Sequence, residues 1–351
     1  MPGAANPTRR FAMTNDRADS DREALDLLIR GFQVSRMLRL VADLAVADKI
    51  PRDGSRNVSD LATACSVLAT PLLRILRALA ASGVFRVGAD GGVAHSPRSM
   101  LLRTDEPNSL HHGARFWTAP GSWKAWGVLD TALAGSDPNQ AAWGMDRFQY
   151  LREHPAEARI FDAFMANFPD RRHQTLAVSY DFSGAKLIVD VGGGNAEALR
   201  QILERFPGPR GIVFDRDDVV AAIPPEARLA GRIEVQGGSF FDRVPQGADI
   251  YLVIRVLHNW SDDDCIRILR NCRCAMRPNA RLLVVEQIIE PDPALGRPSG
   301  YLVDTHMMAM FGAARERTRP EFGELLQSSG FALERVIETA SPVWVMEAVP
   351  G

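Results

Sequence analysis

The sequence predicts an α/β protein: a doubly wound, Rossmann-like parallel sheet fills the C-terminal half, and a mainly helical domain precedes it. Three observations carry this reading. Short apolar runs rich in β-branched residues recur after Lys186, separated by segments of helical length. The first run leads into a glycine turn, Gly192-Gly193-Gly194, followed at once by a helix-forming stretch. Ahead of Lys186, apolar residues mostly step by three and four, the stripe of amphipathic helices.

Residues 1–20 mix Pro, Gly, Asn, Arg and Asp without periodicity and read as a tail. From Asp21 to Ile50 the positions Leu25, Leu28, Ile29, Phe32, Met37, Leu40, Val41 and Leu44 form a helical stripe that needs a partner surface. A helix from Asn57 and another from Pro71 to Leu79 follow. The extended pair Val84–Val87 and Val93–His95 then flanks the turn Ala89-Asp90-Gly91-Gly92. Helices followed by a hairpin make a winged-helix pattern, and we place this domain at 21–105. Winged helices often bind DNA, but only Arg74 and Arg77 lend basic character to the candidate recognition helix. The whole chain carries a net charge of −2, so a structural, dimerising use is expected, with no nucleic-acid partner.

A helical substrate-binding part is expected at 106–185. Ten of the chain's 26 aromatic residues fall between Leu101 and Val178, namely Phe116, Trp117, Trp123, Trp126, Trp143, Phe148, Tyr150, Phe161, Phe164 and Phe168. For any one of them core packing is the simpler use; together they can line an aromatic pocket, and Trp117, Phe161 and Met165 are our candidates. The sheet domain, 186–351, begins with Leu187-Ile188-Val189. It continues through Gly211–Phe214, Ile250–Ile254 and Leu282–Val285 and ends in an antiparallel pair, Phe331–Ile337 with Pro342–Ala348.

Composition narrows the class further. Hydrophobic residues at 46% and charged residues at 24% are those of an ordinary globular protein and exclude disordered or collagen-like chains. Four cysteines in 351 residues, with no apolar leader segment, lead us to expect free thiols in a reducing cytoplasm. The apolar runs fall far short of the roughly 18 residues that span a bilayer, so no membrane segment is expected.

The glycine turn is not a dinucleotide fingerprint, because its third glycine would fall at Glu197, whose carboxylate opposes a pyrophosphate. Asp215 ends the second strand, 21 residues after Gly194, where an acid can accept both hydroxyls of a ribose or cap the segment beginning at Arg216. A glycine loop with a strand-end acid and no pyrophosphate site suits a nucleoside ligand such as S-adenosyl-L-methionine. Asp190, Gly192 and Gly194 would then face its amino-acid end and Asp215 its ribose.

Further motifs stand in order: Gly238-Ser239-Phe240-Phe241, then Leu257-His258-Asn259-Trp260-Ser261-Asp262, then Arg315-Glu316-Arg317-Thr318 with Glu321-Phe322. With Asp190–Gly194 and Phe214-Asp215 they resemble the motif set of the small-molecule O-methyltransferases. That family includes plant caffeate and flavonoid enzymes, acetylserotonin methyltransferase, and bacterial antibiotic and hydroxyneurosporene methyltransferases. The resemblance covers nearly the whole chain, its N-terminal winged-helix region included. It implies a homodimer formed through that region and a small-molecule hydroxylated acceptor, aromatic or polyene. It also implies cofactor contacts at Ser239, Phe240, Arg255 and Trp260, and acceptor contacts at Met307 and Phe311. In the family the residue after Gly238 is usually an acid, the residue four before the histidine is commonly polar or basic, and the residue after the histidine is usually Asp. Here they are Ser239, Ile254 and Asn259.

The resemblance also gives the candidate chemistry, with His258 as general base and Glu286 and Glu316 flanking it. Full proton transfer from a phenol to an imidazole is uphill by about 3.5 pH units, roughly 5 kcal/mol, so it must be assisted or concerted with methyl transfer. A carboxylate on the second ring nitrogen gives that assistance. Glu286 directly follows a strand, whereas Glu316 lies between Arg315 and Arg317, which could equally hold it in a surface ion pair. Ser261 with Asp262, Asp263 and Asp264 reads as a capped helix start, with Ser261 and Asp264 as a reciprocal pair, and no metal is called for. The alternatives are a relative that retains the cofactor site for decarboxylation or hydroxylation, and a ligand-sensing DNA-binding regulator.

Overall fold

The computed structural model describes residues 20–167 and 172–351. The tail expected at 1–20 falls, but for Ser20, outside the described residues, as does Phe168. The chain forms two compact units, Met1–Pro120 with Ala156–Pro169, and Gly121–Pro155 with Asp170–Gly351.

In the first unit the helices 20–29 and Gly31–Asp43 lead to Val58–Cys65 and Ala69–Ala81. Strands β1 (Ser55–Asn57), β2 (Phe85–Val87) and β3 (Gly92–His95) form an antiparallel sheet in the order β1-β3-β2. The hairpin is the expected one. β1 is new: three polar residues have no alternation to announce them, and pairing with β3 alone makes them a strand. Val41, Val46, Ile50, Leu61, Leu72, Leu76, Leu79, Phe85 and Val93 form the core. The stripe on the first helix keeps an open face, with Leu28 77% and Ile29 67% exposed.

The helices His111–Phe116 and Pro155–Ala166 belong largely to this unit, not to the second, where all of 106–185 was expected. The reason is aromatic packing. Phe116 stacks on Phe164 with centroids 4.3 Å apart, and Trp117 and Phe161 contact the same pair edge-on or tilted.

The second unit is built on seven strands: β4 (Leu187–Val191), β5 (Arg210–Asp215), β6 (Ile233–Gly237), β7 (Ile250–Ile254), β8 (Arg281–Gln287), β9 (Phe331–Ile337) and β10 (Val343–Pro350). Their order is β6-β5-β4-β7-β8-β10-β9, parallel except for β10, which runs antiparallel to both neighbours. β6 escaped the sequence reading because Glu234 and Gln236 break its apolar run; it is an edge strand, so alternate residues face water.

The continuous apolar runs of the central strands follow from burial on both faces. Val189, Val191, Tyr251, Val253, Leu282 and Val284 pack against the helices Asp262–Ala275 and Arg319–Ser328. The alternate residues Ile188, Ile250, Leu252, Leu283 and Val285 pack against Arg172–Ser179 and Glu197–Arg205. Strand order reverses between β4 and β7, the switch point beside which open α/β sheets collect ligands. Among the described residues no single helix is long and apolar enough to cross a membrane.

Candidate active site

Four adjacent strand ends, those of β5, β4, β7 and β8, position most of the predicted residues. At the end of β4, Asp190 is fully buried and neither carboxylate oxygen has a hydrogen-bond partner among the described residues. Burial, and after it the nearby charge of Asp215, push its carboxyl up to about 7. Such an orphaned acid is costly unless a ligand with N–H donors completes it.

The loop beyond it is close-packed. Gly192 sits at φ +73°, and a Cβ there would lie 2.7 Å from Val256; a Cβ on Gly193 would lie 2.8 Å from the Asp190 carboxylate. These glycines let the backbone approach both Val256, just past β7, and Asp190. Asp215, at the end of β5, accepts from the Gly194 N–H at 3.0 Å and from the Arg216 N–H at 2.8 Å. It fixes the loop to β5 and is not the helix cap: the short helix there begins at Asp217, with Arg216 at the cap position.

Phe240 lies 3.8 Å from the Cβ position of Gly192 and packs edge-on against Trp260. Ser239 is exposed, and its hydroxyl accepts from the Phe241 N–H at 3.2 Å, a bond within its own turn. The buried acid, the tight glycine loop and the second acid at the β5 end fit an amino-acid-bearing nucleoside.

The catalytic candidates meet at the ends of β7 and β8. His258 sits on the short turn Leu257–Asn259, buried, and its Nδ1 lies 3.1 Å from Oε2 of Glu286. Glu286, wholly buried in β8, also accepts from the Leu257 N–H at 2.8 Å. Burial alone would raise its carboxyl, but the facing His258 and the Arg255 guanidinium outweigh it and hold Glu286 well below the usual carboxylate range.

Arg255, expected at the cofactor, directs its guanidinium onto both acids: Nη1 to Glu286 Oε2 at 3.0 Å and to Glu316 Oε2 at 2.9 Å, and Nη2 to Glu316 Oε1 at 2.6 Å. Glu316 is 2% exposed, so it is no surface acid. Arg315 and Arg317 are engaged elsewhere, Arg315 on Asp262 and Glu321 and Arg317 on Asp262. Among the described residues Glu316 makes no bond to His258, so only Glu286 touches the histidine.

Ser261 caps the helix Asp262–Ala275 as expected, accepting from the Asp264 N–H at 3.2 Å, but the reciprocal box is not closed, because the Asp264 carboxylate takes the Ser261 hydroxyl at 2.7 Å and not its backbone N–H. Sequence reasoning passed over Arg317. Its side chain is fully buried and donates to the carbonyls of Leu257 at 3.1 Å and Trp260 at 2.9 Å, which clamps the turn carrying His258. Its place one residue after Glu316 was the available signal.

The acceptor candidates fall in both units. Trp117, Phe161 and Met165 lie in the first, Trp117 and Phe161 around the Phe116–Phe164 stack and Met165 half-buried. Met307 and Phe311 lie in the second, on the helix Pro298–Phe311. There Phe311 packs on Phe148 at 5.3 Å, and Met307 is buried. On the same helix His306 accepts from the Trp126 indole N–H at 3.2 Å; burial drives its imidazole down to about 3, so it is held neutral.

An O-methyltransferase domain model matches residues 126–332, and an O-methyltransferase dimerisation domain model matches 27–105. The chain belongs to the O-methyltransferase family. It is 36% identical over 335 residues to the mitomycin biosynthesis 6-O-methyltransferase of Streptomyces lavendulae, covering 93% of each chain. The structure of a mitomycin 7-O-methyltransferase matches with a TM-score of 0.86 and 35% identity, over 96% of this chain and 100% of that one. An O-methyltransferase from neocarzinostatin biosynthesis, solved with S-adenosylmethionine and 2-hydroxy-5-methyl naphthoic acid, matches with a TM-score of 0.74 and 28% identity over 90% and 96%. This O-methyltransferase is an S-adenosylmethionine-dependent enzyme of secondary metabolism with an N-terminal dimerisation domain.

Proposed function

We propose that this O-methyltransferase methylates a hydroxyl of an aromatic small molecule, with His258 as the general base. The observation that carries the reading is the His258 Nδ1 to Glu286 Oε2 contact at 3.1 Å, at the strand ends beside the Asp190 loop. Glu286, kept ionised, holds Nδ1 as the N–H donor and leaves Nε2 to accept the acceptor's hydroxyl proton. It then steadies the imidazolium that forms.

The bound cofactor supplies an electrophilic methyl on a sulfonium sulfur. Asp190 takes the ammonium of its amino-acid end and Asp215 its ribose hydroxyls, while Gly192 lets the chain approach it closely. In this reading His258 holds the acceptor oxygen and the Phe148–Phe311 pair with the buried Met307 would wall its ring, so the rate gain comes from placement and proton removal. An aromatic acceptor is favoured by the Phe148–Phe311 ring pair and by the 2-hydroxy-5-methyl naphthoic acid bound in the related enzyme of neocarzinostatin biosynthesis. The exposed stripe of Leu25, Leu28, Ile29 and Phe32, with the dimerisation domain match, supports a homodimer.

The test is His258→Ala against a panel of phenols, naphthoates, flavonoids and hydroxycarotenoids. Transfer should fall by about 10²–10⁴ while calorimetric binding of S-adenosylhomocysteine persists. Unchanged turnover would overturn the general-base role, and a product lacking the added methylene mass would overturn methyl transfer.

A further inference from the structure

Arg255 leaves β7 at φ +53°, a left-handed conformation that is unfavourable for a residue with a side chain. Its N–H still completes the sheet by donating to the Val285 carbonyl at 3.0 Å. The turn ends with its guanidinium between two buried acids, and how that cation is divided is informative. Glu316 receives both arms of the fork; Glu286 receives one arm, on the same oxygen that faces His258.

We propose that Arg255 is a positioning residue that couples Glu316 to His258, so that Glu316 acts on the base through the Arg255 guanidinium as well as through its own charge. The inference rests on the general-base reading for its functional meaning and on the geometry for its structure. Among the described residues, Glu286, Glu316 and the Arg255 guanidinium by themselves sum to −1 beside the ring. Because Glu316 holds the guanidinium bidentately, most of the charge of Glu286 remains for His258. Were Glu316 neutral, the same fork could swing fully onto Glu286 and compete with the imidazolium for Oε2. Both the lost charge and the swing weaken proton binding at His258.

Other charged groups lie around the cluster among the described residues, and the nearest to Glu316 is Asp304, whose carboxyl is raised by burial and, after it, by the charge of Glu316. Asp304, on the helix Pro298–Phe311, accepts the Glu316 N–H at 2.8 Å, and Arg317 pairs with Asp262 beneath Leu257. Arg315 is held by Asp262 and Glu321. None of these is altered in the variants below.

The experiment follows the His258 ring by heteronuclear NMR during pH titration of the cofactor-free full-length protein, the signal being identified among seven histidines by its loss in His258→Gln. Glu316→Gln preserves shape and should weaken proton binding at His258 by about tenfold. Arg255→Met combined with Glu316→Gln removes cation and anion together, avoids two uncompensated buried acids, and should return the ring to within about threefold of wild type. A titration unmoved in Glu316→Gln, or a double variant that keeps the full weakening, would overturn the proposal. Activity of His258→Ala separates the two readings. If it retains turnover, the base assignment fails whatever the titration shows; if it collapses while the ring titration is flat, the coupling alone fails.

Discussion

Glu286 receives His258 Nδ1 at 3.1 Å on the oxygen that Arg255 also reaches, and it spends its second oxygen on the Leu257 N–H, one residue before the histidine. The acid therefore fixes both the ring and the turn that carries it. Glu286→Gln should lower kcat by about 10²–10⁴, because an amide can present its N–H to Nδ1 and stabilise the wrong tautomer. KM for the cofactor should change little. A kcat within about threefold of wild type would show that the ring needs no acid partner.

Asp190 makes stability pH-dependent in an unusual direction. Its carboxyl is raised to about 7 in the fold, against roughly 4 in an unfolded chain, so the native state binds the extra proton. Its contribution is full below about pH 4 and is lost as pH rises through 7, by up to a few kcal/mol. The cofactor-free protein should thus unfold at lower denaturant at pH 7.5 than at pH 5.5, and Asp190→Asn should flatten that dependence. The slope should also flatten with saturating S-adenosylhomocysteine, whose ammonium replaces the proton; an unaltered slope in Asp190→Asn would remove Asp190 as its source.

Where the sequence was legible, a local signal was also the structural cause. The central strands read as continuous apolar runs because helices cover both faces, and Gly192 is glycine because Val256 leaves no room for a Cβ. Ser261 announced its helix by the capping chemistry it performs. What was hidden depends on pairing across the chain. β1 and β6 exist through their neighbours, and Arg255 meets Glu316 across 61 residues. The basic residues flanking Glu316 suggested a surface pair, yet spacing cannot show that Asp262 and Glu321 take both arginines.

Gly192→Ala tests the loop. A Cβ there meets Val256 at 2.7 Å with φ at +73°, so both packing and backbone oppose it. Affinity for S-adenosylhomocysteine should fall at least about tenfold, with thermal stability lowered. Gly184→Ala, which meets nothing within 4 Å, is the control and should be neutral. Equal affinity in the two variants would dissociate the loop from the cofactor.

Thiol reactivity should be ordered by burial. Cys272 and Cys265 are pushed up to about 12 by burial, so almost no thiolate exists at pH 8, whereas Cys274 is exposed and Cys65 half-buried. Iodoacetamide followed by peptide mass spectrometry should modify Cys274 first and Cys65 more slowly, with Cys265 and Cys272 protected until the protein unfolds. Early labelling of Cys265, whose thiol donates to the Leu257 carbonyl at 3.2 Å, would mean that the turn bearing His258 opens in the native state.

Arg317 is the strongest test of that turn. It is fully buried, its guanidinium holds the carbonyls on both sides of His258, and Asp262 balances its charge. Arg317→Lys keeps the charge but cannot span Leu257, Trp260 and Asp262 at once, since an ammonium lacks the planar fork. We expect a stability loss of about 2–4 kcal/mol by denaturant unfolding. Where the variant stays folded, kcat should fall more than cofactor affinity, because the clamp acts on the base and the Asp190 loop is built on β4. A variant as stable as wild type with full kcat would show that Glu286 alone suffices to hold the histidine.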